Sequence, residues 1–570
     1  MVSIARIFKR ALAAGKTGGI SGLLIQIGDL RRKQRERRNY QVQLRRADAA
    51  GALRASSIEN IRKEIARWPR RPLISVVLPV YNVPEKWLRF CIDSVTRQFY
   101  ANWELCIADD ASTEPHIRKI LEEYAALDAR VKVFFREENG HISAASNSAL
   151  EMASGEFTVL LDHDDELAPL ALYYVAKEIN AYPQAQMIYS DEDLIDEKGR
   201  RSAPKFKPDW SPDFFYSLNL VTHLSAYRTE IIKKVGGFRL GFEGSQDYDL
   251  ALRVTEQIPE TAIRHIPVVL YHWRAIKGSV ALDPEEKPYA HDRAKKALSE
   301  HFERKGISAK VTKGYSVLHK INYDLPAEIK VSVICAAAVG ESLKMDLDKS
   351  SHKNIEIIDA GDEIHPLAPI SLRLNLAAKK ATGDILIFLE NDVKSVADNW
   401  VGEMASLARQ KEIGTVGAKL LYKNGTIHHG GIVLGVGGSV GFAHRGFPAD
   451  TQENILRAQV INNFSAVSGA CMATRKQVFL ELGGFDEENF ANGLYDVDYC
   501  LRLREKGCRI VWTPYAELIM EDKTATEKTI ENKNSEEVKT FQKKWEHLLG
   551  SDPYYNPNLS LSGEVFSIRD

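Results

Sequence analysis

Short apolar runs alternate with segments of helical period through most of this chain. Residues 74–79 (Ile-Ser-Val-Val-Leu-Pro) are apolar in near succession and rich in β-branched side chains, which predicts a buried strand. The pattern then predicts a helix over 85–98, a strand over 103–108, a helix over 115–127, a strand over 131–135, a helix over 143–153 and a strand over 157–161. Strands alternating with helices predict an α/β fold, Rossmann-like, with a mostly parallel sheet and helices on both faces. Ligands of such sheets bind at the carboxyl ends of the strands. Two acidic groups stand at predicted strand ends, Asp109-Asp110 and Asp162-His163-Asp164-Asp165.

The pattern repeats. Asn147-Ser-Ala-Leu-Glu-Met-Ala-Ser-Gly155 returns as Asn375-Leu-Ala-Ala-Lys-Lys-Ala-Thr-Gly383, with the Asn and the Gly displaced equally along the chain. The same offset carries Asp162 to Glu390 and Asp164 to Asp392. Further on, Gly236-Gly237-Phe238 returns as Gly483-Gly484-Phe485. An ordered series, at one offset over the acidic core, is hard to obtain by chance. Two copies of one domain are therefore expected, joined near Asp324–Lys330. The expected organisation is an N-terminal segment (1–71), a first domain (72–325), a diverged second domain (326–545) and a C-terminal tail (546–570).

A length of 570 residues fits two or three domains. The net charge of −1 hides an asymmetry. Residues 1–71 hold 18 Lys or Arg against 5 Asp or Glu, so the remainder is acidic. Ile4, Ile7, Phe8 and Leu12 fall at helical spacing beside Arg6, Lys9 and Arg10. Such a helix fits an anionic membrane surface, and equally a helix packed on the domain behind it. The run Arg31–Arg38 reads as a solvated helix face rather than a nucleic-acid patch, so no nucleic-acid partner is expected. No apolar run reaches the ~20 residues of a membrane span, and the start of the chain lacks the apolar core of a secretory signal. The six cysteines form no CxxC pair, which suggests neither zinc nor a disulfide framework and fits a reducing cytoplasm.

Three carboxylates within 162–165 repel one another unless a cation compensates them, and oxygen ligands suit Mg²⁺ or Mn²⁺. A solvated acidic loop is the plain alternative. Asp247, at the start of a predicted helix, is either its N-cap or a general base. His272, in Tyr271-His272-Trp273-Arg274, is a metal or phosphate ligand or a packed structural residue. Asp109 and Asp110 are placed to accept hydrogen bonds from a base or ribose, or to cap the helix after them.

In this order, ISVVLPVYN, CIADDAST, NGHISAASNSALEMASGEF, LLDHDDE, YSDEDLID, VGGFRLGFEGSQDYDLALR and LYHWR resemble the family 2 glycosyltransferases over 74–280. The second half shares KLLY…HHGGIVLGVGGSVGFAHRG and DVDYCLRLREKGCRIVWTPYAEL with the tandem enzymes of bacterial surface polysaccharide and O-antigen assembly. The resemblance implies two GT-A domains. It also implies inverting, metal-dependent transfer from a nucleotide sugar to a glycan or lipid-linked glycan. Carried over residue by residue, it makes Asp110 the base-contacting Asp and Asp162, Asp164 and Asp165 the metal and diphosphate cluster. Asp247 becomes the catalytic base and His272 a metal or diphosphate ligand. Pro79, Tyr81, Asp109 and Asn147 fall on the donor side.

The second copy departs further. Glu390 stands for Asp162, Asp392 for Asp164, Asp359 for the Asp109-Asp110 pair and Asp496 for the base. Val393 replaces an Asp, and Ile519-Met520-Glu521 stands where the family often shows two histidines. The expected function is therefore one principal transferase site in the first copy, with a second copy that either transfers or supports. A nucleotidyltransferase would want a Gly-rich phosphate loop after the first strand, where this chain has PVYNVPEKW. A scaffold with two dead copies is disfavoured by the intact carboxylates of the first.

Overall fold

A computed structural model describes residues 25, 27–45, 55–276, 288–316, 318–336, 340–361, 368–390, 393–451, 453–520, 523–532, 535–562 and 564–569. The chain divides into two compact units. The first holds Tyr40–Trp210 and Leu218–His319. The second holds Lys320–Asp570, Ser211–Ser217 and the described part of Met1–Asn39.

The first unit is built on a nine-stranded sheet. Its strands are β1 (Ile74–Val80), β2 (Trp103–Asp109), β3 (Val131–Phe135), β4 (Phe157–Leu160), β5 (Glu166–Leu167), β6 (Met187–Ile195), β7 (Arg201–Lys205), β8 (Ser225–Arg228) and β9 (Ile263–Arg274). The order is β3-β2-β1-β4-β8-β6-β9-β5, with β7 added on β6. β3, β2, β1 and β4 are parallel, as their continuous apolar runs and intervening helices require. Beyond β4 the sheet is mixed: β8 runs antiparallel to β4 and β6, while β6 and β9 are parallel. Every side chain of β1 and β2 is buried. The helix Glu85–Thr96 buries Trp87, Leu88, Cys91, Ile92 and Val95, one stripe at helical spacing.

The second unit repeats this order, without a counterpart of β3 among the described residues. Ile355–Asp359, Val331–Cys335, Ile385–Leu389, Cys471–Arg475, Ile413–Leu421, Arg509–Met520 and Val393–Ser395 lie side by side in that sequence. Two staples explain the repeated motif. Gly155 lies against β1, where an added Cβ would stand 2.6 Å from Ser75 Oγ, and its N–H donates to that oxygen at 2.8 Å. Gly383 and Ser332 repeat the contact at 2.5 and 2.8 Å. Asn147 donates Nδ2–H to the Phe238 carbonyl and accepts its N–H, both at 2.8 Å. Asn375 clamps Phe485 in the same way, both at 2.9 Å.

The N-terminal chain is helical over 27–45 and over Ala55–Arg67. The expectation for Ile4, Ile7, Phe8 and Leu12 lies outside the described residues. In the second unit Arg32 and Arg35 pair with Glu564, and Asn39 donates to the Ile568 carbonyl. The chain beyond 545 packs there too: Asp552 accepts the Leu434 N–H and the Ser465 hydroxyl. In the first unit the Tyr40 hydroxyl donates to Asp193, and Trp68 stacks on Tyr173. All six cysteines are free thiols.

Candidate active site

The acidic cluster of the first unit follows β4, at the carboxyl end of the parallel strands. Asp165 is 1% exposed, and Asp162 has 46% of its side chain open. Asp165 accepts the Tyr271 hydroxyl at 2.6 Å and the Arg274 N–H at 2.7 Å. Burial, then the charges of Asp164 and Asp162, push the Asp165 carboxyl well above its ordinary range. Asp164 turns its carbonyl to Arg274 Nε. One imidazole joins these carboxylates, and it is His223, from the loop before β8. Its Nε2 lies 3.8 Å from Asp162 Oδ2, and donor atoms of Asp162, Asp165 and His223 all fall within 4.8 Å of one another. The ring stacks on Tyr271 with centroids 4.6 Å apart. Burial disfavours charge on His223, but Glu192, Asp162 and Asp165 raise its pKa above the ordinary value.

His272 is not among the three converging groups and is paired with Asp193 instead. Side chains alternate along a strand. Tyr271 and Trp273 face His223, with centroids 4.6 and 5.5 Å away. His272 points to the other face, where its Nδ1 meets Asp193 Oδ1 at 2.6 Å. Sequence reading missed His223. It is a loop histidine far beyond Asp165 in the chain, and no spacing ties the two together.

Asp247 lies in the first turn of the helix Gln246–Thr255, whose N-cap is Ser245. It is therefore not the cap. Its Oδ2 accepts the Asn219 amide at 2.9 Å, and its carboxylate is half-buried. Burial raises its pKa; His223 lowers it and Asp162 raises it further, so the three groups share one electrostatic site.

Asp109 closes β2 and is buried, with its Oδ1 unpartnered within the protein. Asp110 Oδ1 takes Arg136 Nε at 2.8 Å and the Gly140 N–H at 3.0 Å. The Pro79 carbonyl meets His163 Nδ1 at 3.2 Å, and Tyr81 is 44% exposed. Asn147 is engaged by Phe238, so it holds the Gly236-Gly237-Phe238 turn rather than presenting its amide openly.

The second unit brings Glu390 and Asp496 together but closes them in. Glu390 accepts the Tyr495 hydroxyl at 2.5 Å and the Ala525 N–H at 2.7 Å. Asp496 is 0% exposed and accepts the Gly469 N–H, the Val497 N–H and the Thr526 hydroxyl. Both pKa values are raised, chiefly by burial, with Glu390 at about 7. Asp359 accepts the Gly361 N–H at 2.8 Å. Asp392 lies outside the described residues. Strand pairing also shows what this copy lacks. Phe157 pairs with Arg228 and Ile385 with Arg475, so Ala470 occupies the place of His223. Glu166 pairs with His272 and Lys394 with Ile519, so Ile519 replaces His272.

A Mg²⁺ or Mn²⁺ ion has bonds near ~2.1 Å, which sets its donor atoms roughly 3–4 Å apart. The Asp162–Asp165–His223 set is close to that spacing, and Asp165 is a buried carboxyl crowded by the charges of its acidic neighbours. These residues fit the ion.

Residues 75–236 match the family model of glycosyl transferase family 2, and residues 367–540 match glycosyltransferase like family 2. Protein y4gI of Sinorhizobium fredii is 38% identical over 552 residues, covering 90% of this chain and 61% of that protein. The O-antigen biosynthesis protein RfbC of Myxococcus xanthus is 35% identical over 539 residues, covering 89% of this chain and 42% of that protein. This chain thus spans less than two thirds of either relative. The S. aureus TarS 1-349 structure in complex with UDP aligns with a TM-score of 0.31 and 21% identity, covering 40% of this chain and 72% of that one. With two matching regions in series on two sheets of one strand order, this chain belongs to the family 2 glycosyltransferases and carries two such domains in tandem.

Proposed function

We propose that the first domain, residues 72–325, transfers a sugar from a nucleotide-activated donor to a hydroxyl of a growing bacterial surface glycan, free or lipid-linked, with inversion. The observation that carries this reading is the convergence of Asp162, Asp165 and His223 beside Asp247. Asp247 takes the proton of the acceptor hydroxyl. Asn219 fixes the carboxylate by its 2.9 Å hydrogen bond, and burial makes it a stronger base than a solvated Asp. Asp109 and Asp110, at the end of β2, would accept hydrogen bonds from the base or ribose of the nucleoside. Asp162, Asp165 and His223 would hold Mg²⁺ or Mn²⁺, which when bound supplies positive charge to the diphosphate leaving group. Tyr271 and Arg274 keep Asp165 in place. The likeness to RfbC supports an O-antigen or similar glycan as the product.

The second domain, residues 326–545, serves in this reading as a non-catalytic acceptor-binding or scaffold domain. The sealed Glu390 and Asp496 and the absent histidine counterparts favour that role. The protein works in the cytoplasm, at the inner membrane face. Among the described residues no helix is long and apolar enough to cross a membrane. The exposed Arg31 and Arg38, one heptad apart on one helix, supply the attraction to anionic lipid. The test is a screen of nucleotide sugars for donor hydrolysis and for transfer to glycan acceptors, with Mn²⁺ and with EDTA. Failure of every donor in the presence of Mn²⁺ would count against the reading.

A further inference from the structure

The strand β6 carries three consecutive buried acids, and each engages a different histidine. Asp191 Oδ1 meets His265 Nε2 at 2.9 Å, and Asp193 Oδ1 meets His272 Nδ1 at 2.6 Å. Glu192 Oε2 lies 3.5 Å from His223 Nδ1, within ion-pair range but without a hydrogen bond. Alternation along the strand sets Asp191 and Asp193 on one face and Glu192 on the other. Only the Glu192–His223 pair shares a face with the acidic cluster.

We propose that Glu192 is a positioning residue for the cation site, holding the His223 ring so that Nε2 faces Asp162 and Asp165. The inference rests on the cation reading given above. Glu192 Oε2 also accepts the His223 backbone N–H, and Lys207 Nζ donates to the His223 carbonyl at 2.9 Å. Both main-chain polar atoms of His223 are thereby fixed. Glu192 is itself anchored by Lys205 at 2.5 Å and Lys207 at 3.1 Å. Tyr271 stacks on the His223 ring and bonds Asp165, which ties the imidazole to the carboxylates. A carboxylate behind one ring nitrogen sets which nitrogen is bare and where it points.

The second unit supplies an internal comparison. Met187 pairs with Tyr227 and Thr415 with Thr474, which places Leu420 where Glu192 stands. The pairing of Glu192 with Tyr271 and of Leu420 with Leu518 agrees. Ala470 stands for His223. Acid and imidazole are lost together, in the copy whose carboxylates are closed in by its own chain.

The test measures Mn²⁺ affinity of the full chain by electron paramagnetic resonance, with nothing else added. Glu192→Gln is expected to weaken Mn²⁺ binding roughly 10–100-fold. His223→Gln should do the same, and the double variant should lose little more than either alone, because the two act as one unit. Glu192→Asp keeps the charge beside the lysines but shortens the reach; it should remain folded and still lose affinity. Asp193→Asn, which loosens His272 on the far face, should bind Mn²⁺ as the wild type does. In metal-free protein, ¹⁵N shifts should show the His223 proton on Nδ1 in the wild type and redistributed in Glu192→Gln. A wild-type chain that takes up no Mn²⁺ overturns the cation reading and this inference with it. A wild-type chain that binds Mn²⁺, with Glu192→Gln unchanged or Asp193→Asn equally impaired, overturns this inference alone.

Discussion

Thr526 donates its hydroxyl to Asp496 Oδ1 at 2.6 Å, so the chain's own side chain sits where an acceptor hydroxyl would meet a base. The Leu494 N–H in turn donates to Thr526 Oγ1 at 2.9 Å, and Glu527 on the same short helix pairs with His428 and Arg445. In the first unit the matching carboxylate, Asp247, is half-buried and bonded to Asn219. The two copies differ in access before they differ in chemistry.

Asp247→Asn is accordingly expected to remove the principal sugar transfer, by roughly 10²–10⁴ in rate, with little change in melting temperature. Asp496→Asn should leave that transfer intact and lower stability by about 1–3 kcal/mol, because three buried donors lose their carboxylate. Product analysis on a defined acceptor, paired with thermal melts, separates the two. Full transfer by Asp247→Asn with loss in Asp496→Asn would put the principal site in the other half.

Within the proposed cation site, Asp162→Asn should abolish most divalent-ion-dependent nucleotide binding. Asp164→Asn should cost less, since Asp164 is not among the three converging groups. Nucleotide affinity with and without EDTA measures both, and an EDTA effect that survives Asp162→Asn intact would refute the assignment.

Glu390 makes stability depend on pH. Its folded pKa of about 7 lies above its ordinary 4.5, so the folded protein binds the proton more tightly than the unfolded chain. Stability therefore falls as pH rises from about 4.5 to about 7 and is level in this respect above that, with a span on the order of 3 kcal/mol. Chemical denaturation across this window should show a slope that Glu390→Gln flattens.

Asn147→Ala should lower stability by about 2 kcal/mol, since both backbone groups of Phe238 lose a partner. Nucleotide affinity per folded molecule should hold. A fall in affinity without a fall in stability would instead assign Asn147 to the donor.

Replacing Arg31 and Arg38 by Gln should weaken sedimentation with anionic vesicles by about 1 kcal/mol per residue near the surface, most strongly at low salt. Neutral vesicles serve as the control, and equal sedimentation of variant and wild type would count against membrane contact by this face.

Periodicity, the repeat and the acidic strand ends were legible in the sequence because each is a local property. An apolar run of β-branched residues declares a buried strand whatever it packs on. The constant offset from Asn147 to Asn375 and from Gly155 to Gly383 declares the duplication. The same reading assigned Asn147 to the donor side, although its amide serves the Phe238 backbone much further along the chain. It also selected His272 because that residue stands in a recognisable segment.

Local order thus determined that this chain folds as two α/β domains and that Asp162, Asp165 and Asp247 lie at strand or helix ends. Which imidazole meets the carboxylates was decided only in three dimensions. Strand alternation turns His272 toward Asp193, while the antiparallel pairing of β8 with β4 brings the His223 loop to Asp162. Tertiary packing likewise decided that Asp496, an acid in the same position as Asp247, is closed off by Thr526. Chain proximity fixes neither strand faces nor burial, because both depend on residues remote in the sequence.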